Sequence, residues 1–220
     1  MKKIIFALLS IVALASCGGN ESTSSAEAPK QDSIAPQVCT YSYDSSATEV
    51  GFGAFKFTEK KEVKGSFLKF TIDSTKEVAE EYYYTLFEGA QFKIDVASLD
   101  TKDQGRDLNI KSAFFGKMDS TLFIVGKVVK VKWDGLKQNG EFFINLKMNG
   151  IENMERLQFN LVESTVEIKG SIDLNYYKAQ KALASLNYTC KDLHKGSDGK
   201  SVTWPEVNIY VSTKLKKNCK

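Results

Sequence analysis

The chain has 220 residues, 42% of them hydrophobic and 26% charged, with 30 Lys and Arg against 27 Asp and Glu for a net charge of +3. That near balance leaves no basic footprint for nucleic acid. The single histidine, His194, excludes histidine-built metal centres, and without a G-x-S-x-G turn a serine–histidine hydrolase lacks its parts.

Lys2 and Lys3 open the chain, and residues 4–14 are apolar, a run too short to span a bilayer and stay there. Leu14-Ala15-Ser16-Cys17 resembles the lipobox of bacterial lipoproteins: small residues before a cysteine that is acylated and becomes the new N-terminus. Residues 1–16 therefore read as a lipoprotein signal peptide and Cys17 as the lipidation site, with the acyl chains as the membrane anchor. Gly18 follows the cysteine where an aspartate would retain the protein at the inner membrane, so the expected site is the outer membrane, facing the periplasm. Residues 17–38, rich in Ser, Ala, Glu, Gln and Pro, read as a flexible tether. Residues 39–220 then form one domain of about 180 residues. Loss of Lys2 and Lys3 from the 30 basic residues leaves 28 against 27 acidic ones, a net of +1.

Period-two alternation dominates the domain. In 49–58, Val50 and Phe52 share one parity and Phe55 and Phe57 the other, which predicts a bulge near Gly53. In 64–73, Leu68, Phe70 and Ile72 share a face. Residues 82–96 predict one long strand ending on Phe92, Ile94 and Val96, followed by a polar loop with Asp100, Thr101, Arg106 and Asp107. Residues 107–115 predict a short helix with Asp107 in its first turn. Then come a β-branched strand over 121–133 and alternating runs at Phe142, Ile144, Leu146 and Met148, and at Leu157, Phe159 and Leu161. Val166, Ile168, Ile172 and Leu174 alternate with Gly170 holding the parity, and Val207, Ile209 and Val211 mark the last strand. Asp134-Gly135, Asn139-Gly140 and Asn149-Gly150 signal turns. Between the last strands, 175–188 predicts a helix with Tyr176, Ala179, Leu183 and Leu186 on one face, lying over the sheet or plugging one end. About eight strands with short connections suit a closed sheet or a sandwich.

Three short motifs carry a resemblance. Ser98-Leu99-Asp100-Thr101, then Arg106-Asp107, then Lys111-Ser112-Ala113-Phe114-Phe115 resemble the core motif of the YceI-like domain family. Val63-Lys64-Gly65-Ser66-Phe67 resembles its V-x-G-x-F element, and Lys147-Met148-Asn149-Gly150-Ile151 its later N-G-hydrophobic element. The resemblance covers residues 41–216. It implies an all-β fold: an eight-stranded antiparallel, lipocalin-like barrel with one or two short helices, whose apolar interior holds a polyisoprenoid or similar lipid. Tyr176-Tyr177 departs from the aromatic–glycine pair common in the family, and 175–204 is longer than a barrel connection needs.

Three cysteines follow Cys17, and an odd count leaves one unpaired or intermolecular. In a closed antiparallel barrel the start of the first strand lies beside the end of the last, which favours Cys39 with Cys219; Cys190 with Cys219 is the alternative. The 14 phenylalanines and 9 tyrosines either fill the core or line a tunnel. If they line one, strand parity and the family motif assign its wall to Phe52, Phe70, Phe92, Phe114, Phe115, Ile144 and Phe159. Arg106 would then face an anionic or quinone head at the mouth, held by Asp100 and Asp107; alternatively the three form a structural loop network. Oxygen-only calcium sites stay open, although the acids of 192–199 lack EF-hand spacing. The function expected is a lipid-anchored periplasmic protein that carries an isoprenoid, quinone-like or fatty-acid-like ligand without a chemical step, cofactor or metal. Its partners would be the membrane and a second copy of the chain. A ligand-free scaffold of the envelope is the alternative.

Overall fold

A computed structural model describes residues 37–119 and 121–220. The signal peptide, Cys17 and nearly all of the tether lie outside the described residues. In chain order the strands are β1 (Cys39–Ser42), β2 (Thr48–Lys56), β3 (Lys61–Phe67), β4 (Phe70–Asp73), β5 (Val78–Ala79), β6 (Gln91–Asp95) and β7 (Leu99–Asp100). After α1 (Gln104–Asn109) come β8 (Phe123–Asp134), β9 (Asn139–Met148), β10 (Ile151–Val162) and β11 (Thr165–Asp173). Then α2 (Gln180–Thr189) precedes β12 (Thr203–Lys214) and β13 (Lys216–Cys219).

The main sheet runs β4-β6-β8-β9-β10-β11-β12-β2-β3-β7, antiparallel throughout. Neither end of that order is a free edge. β4 continues β3 after Leu68 and Lys69, and β7 continues β6 after a 3-10 turn at Val96–Ser98. β3 pairs with β2 and β7, while β4 pairs with β6. Leu68 N donates to Ser98 O at 3.2 Å and Asp95 N to Lys69 O at 3.0 Å, bridging the break. Eight chain passages therefore close into an antiparallel barrel, and closure removes the exposed edge that invites pairing with other chains.

A second sheet, β13-β1-β5, packs at one end of the barrel. In it Cys39 stands opposite Cys219 and the two are disulfide-bonded, leaving Cys190 free and buried. We call this the disulfide end. The opposite end, where β2 finishes and β12 begins, is covered by the two helices. There α1 runs into a π turn (Ile110–Phe114) and a 3-10 turn (Phe115–Lys117), and α2 packs on the π turn and on β12.

Several expectations from the pattern are corrected. The segment 82–96 is not one strand: Glu80–Thr85 is a 3-10 helix, and Gly89 turns at a φ of 87° before β6 begins. The adjacent Tyr83 and Tyr84 both pack on Trp133, at ring distances of 5.3 and 5.7 Å, which strand alternation would forbid. β2 carries no bulge at Gly53; its register with β3 is regular, Ala54 takes the next inward place, and Phe55 is only partly covered. The irregularity falls instead on β12 between Thr203 and Val207, around Pro205, which has no N–H for the ladder. Leu68 is 63% exposed because the break at Leu68 and Lys69 shifts parity between the inward Phe67 and the inward Phe70. Asn139-Gly140 opens β9 rather than turning: Gly140 lies opposite Trp133, and a Cβ there would overlap Lys132 O and the Phe159 ring. The helix over 175–188 is split. Leu174–Tyr177 is a 3-10 turn, Lys178 is left-handed at a φ of 52°, and only then does α2 begin, leaving Tyr176 69% exposed. Asn149 and Gly150, with φ of 53° and 71°, do form the two-residue hairpin that joins β9 to β10.

Candidate functional site

The inward faces of the strands line a cavity of about 230 Å³. Its wall follows strand parity: Val50, Phe52 and Ala54 from β2, Phe70 and Ile72 from β4, Phe92 and Ile94 from β6, and Phe142, Ile144, Leu146 and Met148 from β9. Val207, Ile209 and Val211 of β12 extend the wall beside β2. At the helix end, Ile110, Phe114 and Phe115 come from the turns after α1, and Leu183 and Leu186 from α2. The long connection of residues 175–204 thus supplies part of the cavity's cover, which its sequence left open. Towards the disulfide end the interior is filled by rings in contact: Phe87 on Phe142 (6.1 Å), Phe142 on Phe159 (4.5 Å) and Phe159 stacked on Trp133 (5.7 Å).

Of the residues assigned to a ligand from sequence, the structure brings Phe52, Phe70, Phe92, Phe114, Phe115 and Ile144 together around this cavity. It does not bring Phe159 there: its ring belongs to the aromatic stack beyond the cavity, pressed against Gly140. Arg106 is also outside the wall. Its Nε donates to Thr101 Oγ1 at 2.9 Å and its guanidinium to Thr101 O at 3.2 Å, with Asp103 Oδ2 at 3.6 Å. Asp107 does not grip Arg106; its Oδ1 accepts from Thr101 N (2.8 Å) and Thr101 Oγ1 (2.6 Å). Asp100 is occupied by Lys102, whose ammonium and backbone N–H hold its carboxyl below the usual range. Asp103 caps α1 by accepting from Arg106 N at 3.0 Å. This is a loop-and-cap network centred on Thr101, with Asp100 outside it.

Few polar side chains touch the cavity, and most are satisfied. Thr48 and Thr213 share a hydrogen bond of 2.7 Å between their hydroxyls. Thr203 Oγ1 donates to Asn187 Oδ1 at 3.0 Å and meets His194 Nδ1 at 2.7 Å. Burial pushes the imidazole of His194 below its ordinary value, and the neighbouring Lys56 charge adds to this. Glu155 also faces in, and Tyr177 Oη donates to its Oε1 at 2.6 Å. Burial, then the bond to Glu155, raises the Tyr177 phenol above the usual range. Sequence reading passed over Glu155, although it shares the parity of Leu157 and Phe159; a carboxylate on the apolar face of a strand was the available signal. Among the described residues no three His, Cys, Asp or Glu cluster to hold a metal ion, and no helix is long and apolar enough to cross a membrane.

Residues 41–215 match the YceI-like domain, which spans the whole barrel. The chain belongs to the YceI-like domain family. Residues 1–17, ending at Cys17, match the prokaryotic membrane lipoprotein lipid attachment site. No curated protein matches the sequence. Solved structures of the same fold include a polyisoprenoid binding domain from Saccharophagus degradans implicated in plant cell wall breakdown, 14% identical, with 81% of this chain and 98% of that one aligned at a TM-score of 0.56. BcnA of Burkholderia cenocepacia is 14% identical over 79% of this chain and 99% of its own, with a TM-score of 0.53. The Campylobacter jejuni YCEI protein is 16% identical over 75% and 89%, with a TM-score of 0.50.

Proposed function

We propose that this YceI-like protein is a lipid-anchored envelope protein that holds a long-chain lipid, of isoprenoid or similar type, inside its barrel without a chemical step. The observation that carries this reading is the cavity: about 230 Å³ of space whose wall is apolar except at Glu155 and three threonines. Such a space is poor in groups that could hold water, which needs two to four polar partners. It suits a hydrocarbon chain, each buried methylene of which is worth roughly 0.8 kcal/mol, partly offset by lost chain motion. The polyisoprenoid binding domain of Saccharophagus degradans, which shares the fold, supports the same ligand class. Phe52, Phe70, Phe92, Phe114, Phe115 and Ile144 would form the contacts. The lipobox ending at Cys17 supports anchoring through acyl chains, and Gly18 supports an outer-membrane, periplasm-facing position.

A packed scaffold would need side chains from opposite walls to meet along the axis. Here the rings of the aromatic stack, Trp133 of β8, Phe142 of β9 and Phe159 of β10, come from neighbouring strands, and the cavity lies beside them. Native mass spectrometry of the mature protein, purified gently from its membrane, tests the carrier reading. The expected spectrum contains adducts that extract into organic solvent and differ by isoprene units or methylenes. Empty protein under several growth conditions, together with no uptake of added prenol, would overturn it.

A further inference from the structure

Glu155 is the one charged side chain in the cavity wall among the described residues. It lies on the inward face of β10, opposite Ile144 of β9. A carboxyl placed against hydrocarbon needs hydrogen-bond partners, or its desolvation goes uncompensated. One oxygen has a partner: Tyr177 Oη donates to Oε1 at 2.6 Å. Tyr177 is fully buried, and the turn that carries it is pinned by Asn149, whose Nδ2 donates to Tyr177 O at 2.8 Å. Because burial raises its phenol above the usual range, Tyr177 keeps its proton and remains the donor. The second oxygen, Oε2, accepts from no other described residue and is not a buried orphan, so it is open to a further donor, and no Lys, Arg or His among the described residues forms an ion pair with Glu155. Thr48, Thr213 and Thr203, the hydroxyls of the wall, are already paired.

We propose that Glu155, held by Tyr177, selects the head of the lipid, favouring an uncharged hydrogen-bond donor, a primary alcohol or hydroquinone, over a phosphate or a carboxylate. The proposal rests on the cavity reading above and narrows it. A hydroxyl head donates to Oε2 and completes the carboxyl's bonding. An anionic head brings two like charges together in a wall of low dielectric with no cation between them, so the carboxylate acts against it. A ketone or ester has nothing to donate.

The test uses three C15 probes that share one tail: farnesol, farnesyl phosphate and farnesoic acid. Binding to the delipidated mature protein is read by the change in tryptophan fluorescence, since Trp204 lines the cavity and Trp133 stands in the aromatic stack beside it. The wild type is expected to bind farnesol about ten-fold or more tightly than either anion. Glu155→Gln is expected to raise the affinity for both anions and so compress that ratio, and Tyr177→Phe to narrow it less. Far-UV circular dichroism and melting temperature check that the variants fold, and the wild-type ranking stands without them. Preference of the wild type for an anion, or a ratio unmoved by Glu155→Gln in a folded variant, would overturn the selection and leave the cavity reading in place. Failure of all three probes to bind the wild type would overturn both.

Discussion

Glu62, on the outer face of the barrel, shows how single residues tie strands that are not neighbours. Its carboxylate reaches from β3 over β2 to β12, accepting from Tyr210 Oη at 2.6 Å and Asn208 Nδ2 at 3.0 Å. The reach depends on Gly53: a Cβ at that position of β2 would overlap the Glu62 carboxyl. Gly53 therefore has a steric role on the outer face, where the sequence alone offered a bulge signal. The bond from Tyr210, then that from Asn208, holds Glu62 below its ordinary value of 4.5, and the same contact raises Tyr210 above 10.0. A lowered carboxyl contributes stability that is present above pH 4.5 and lost as pH falls through the folded value; a raised phenol contributes stability that is present below pH 10.0 and lost as pH rises through its own. Glu62→Gln should lower the melting temperature by about 2–4 °C at neutral pH, as expected for the loss of about 1 kcal/mol. Scanning calorimetry across pH should show the gap between wild type and variant closing in acid and again in strong alkali. A gap that stays constant across pH would remove the charge from this account.

Elements formed where the alternation predicted them when packing on both sides agreed with it. β9, β10 and β11 follow the sequence pattern closely because β9 and β10 pair with each other across the Asn149-Gly150 turn and β11 pairs along its length with the long β12. The region of residues 61–100 did not, because closing the barrel needs β3–β4 and β6–β7 to break and change partners midway. No local pattern records a change of partner. The terminal strands depend on each other more than on the barrel: β1 pairs with β13 over four positions, from Cys39 opposite Cys219 to Ser42 opposite Lys216. Four pairs are too few to hold two chain ends unaided, and the disulfide spans a sequence separation of 180 residues. Replacing both cysteines with serine should cost about 3–5 kcal/mol in denaturant unfolding, and hydrogen exchange should speed up first in β1 and β13. Unchanged exchange in these strands would mean that the small sheet holds without its bond.

Across the whole molecule, the barrel keeps a void where a solid core would be more stable. An enclosed apolar space costs stability in proportion to its size, because its lining lacks contacts on one side. Filling it should therefore separate stability from binding. Ile144→Trp projects from the middle of β9 into the cavity and is expected to leave the melting temperature unchanged or higher while weakening uptake of a fluorescent prenol by about ten-fold or more. Melting curves and ligand titration on the same preparation check both halves, and tight binding by the folded variant would show that the ligand sits elsewhere. The two ends complete the design: rings fill the disulfide end, while α2 and the turns after α1 cover the other with Leu183, Leu186, Ile110 and Phe114.

By itself the sequence determined the lipobox at Cys17, the all-β class, the inward parity of Phe52, Phe70, Phe92 and Ile144, and the family, because each is a matter of residue type at short spacing. Only the tertiary structure decided that Phe159 packs into the aromatic stack, that Arg106 is bound to Thr101 and Asp103, and that Glu155 meets Tyr177. Those outcomes depend on which strands become neighbours and where the barrel is plugged. Period two tells a side chain which face to take, but not how far along the axis it will lie or what stands across from it.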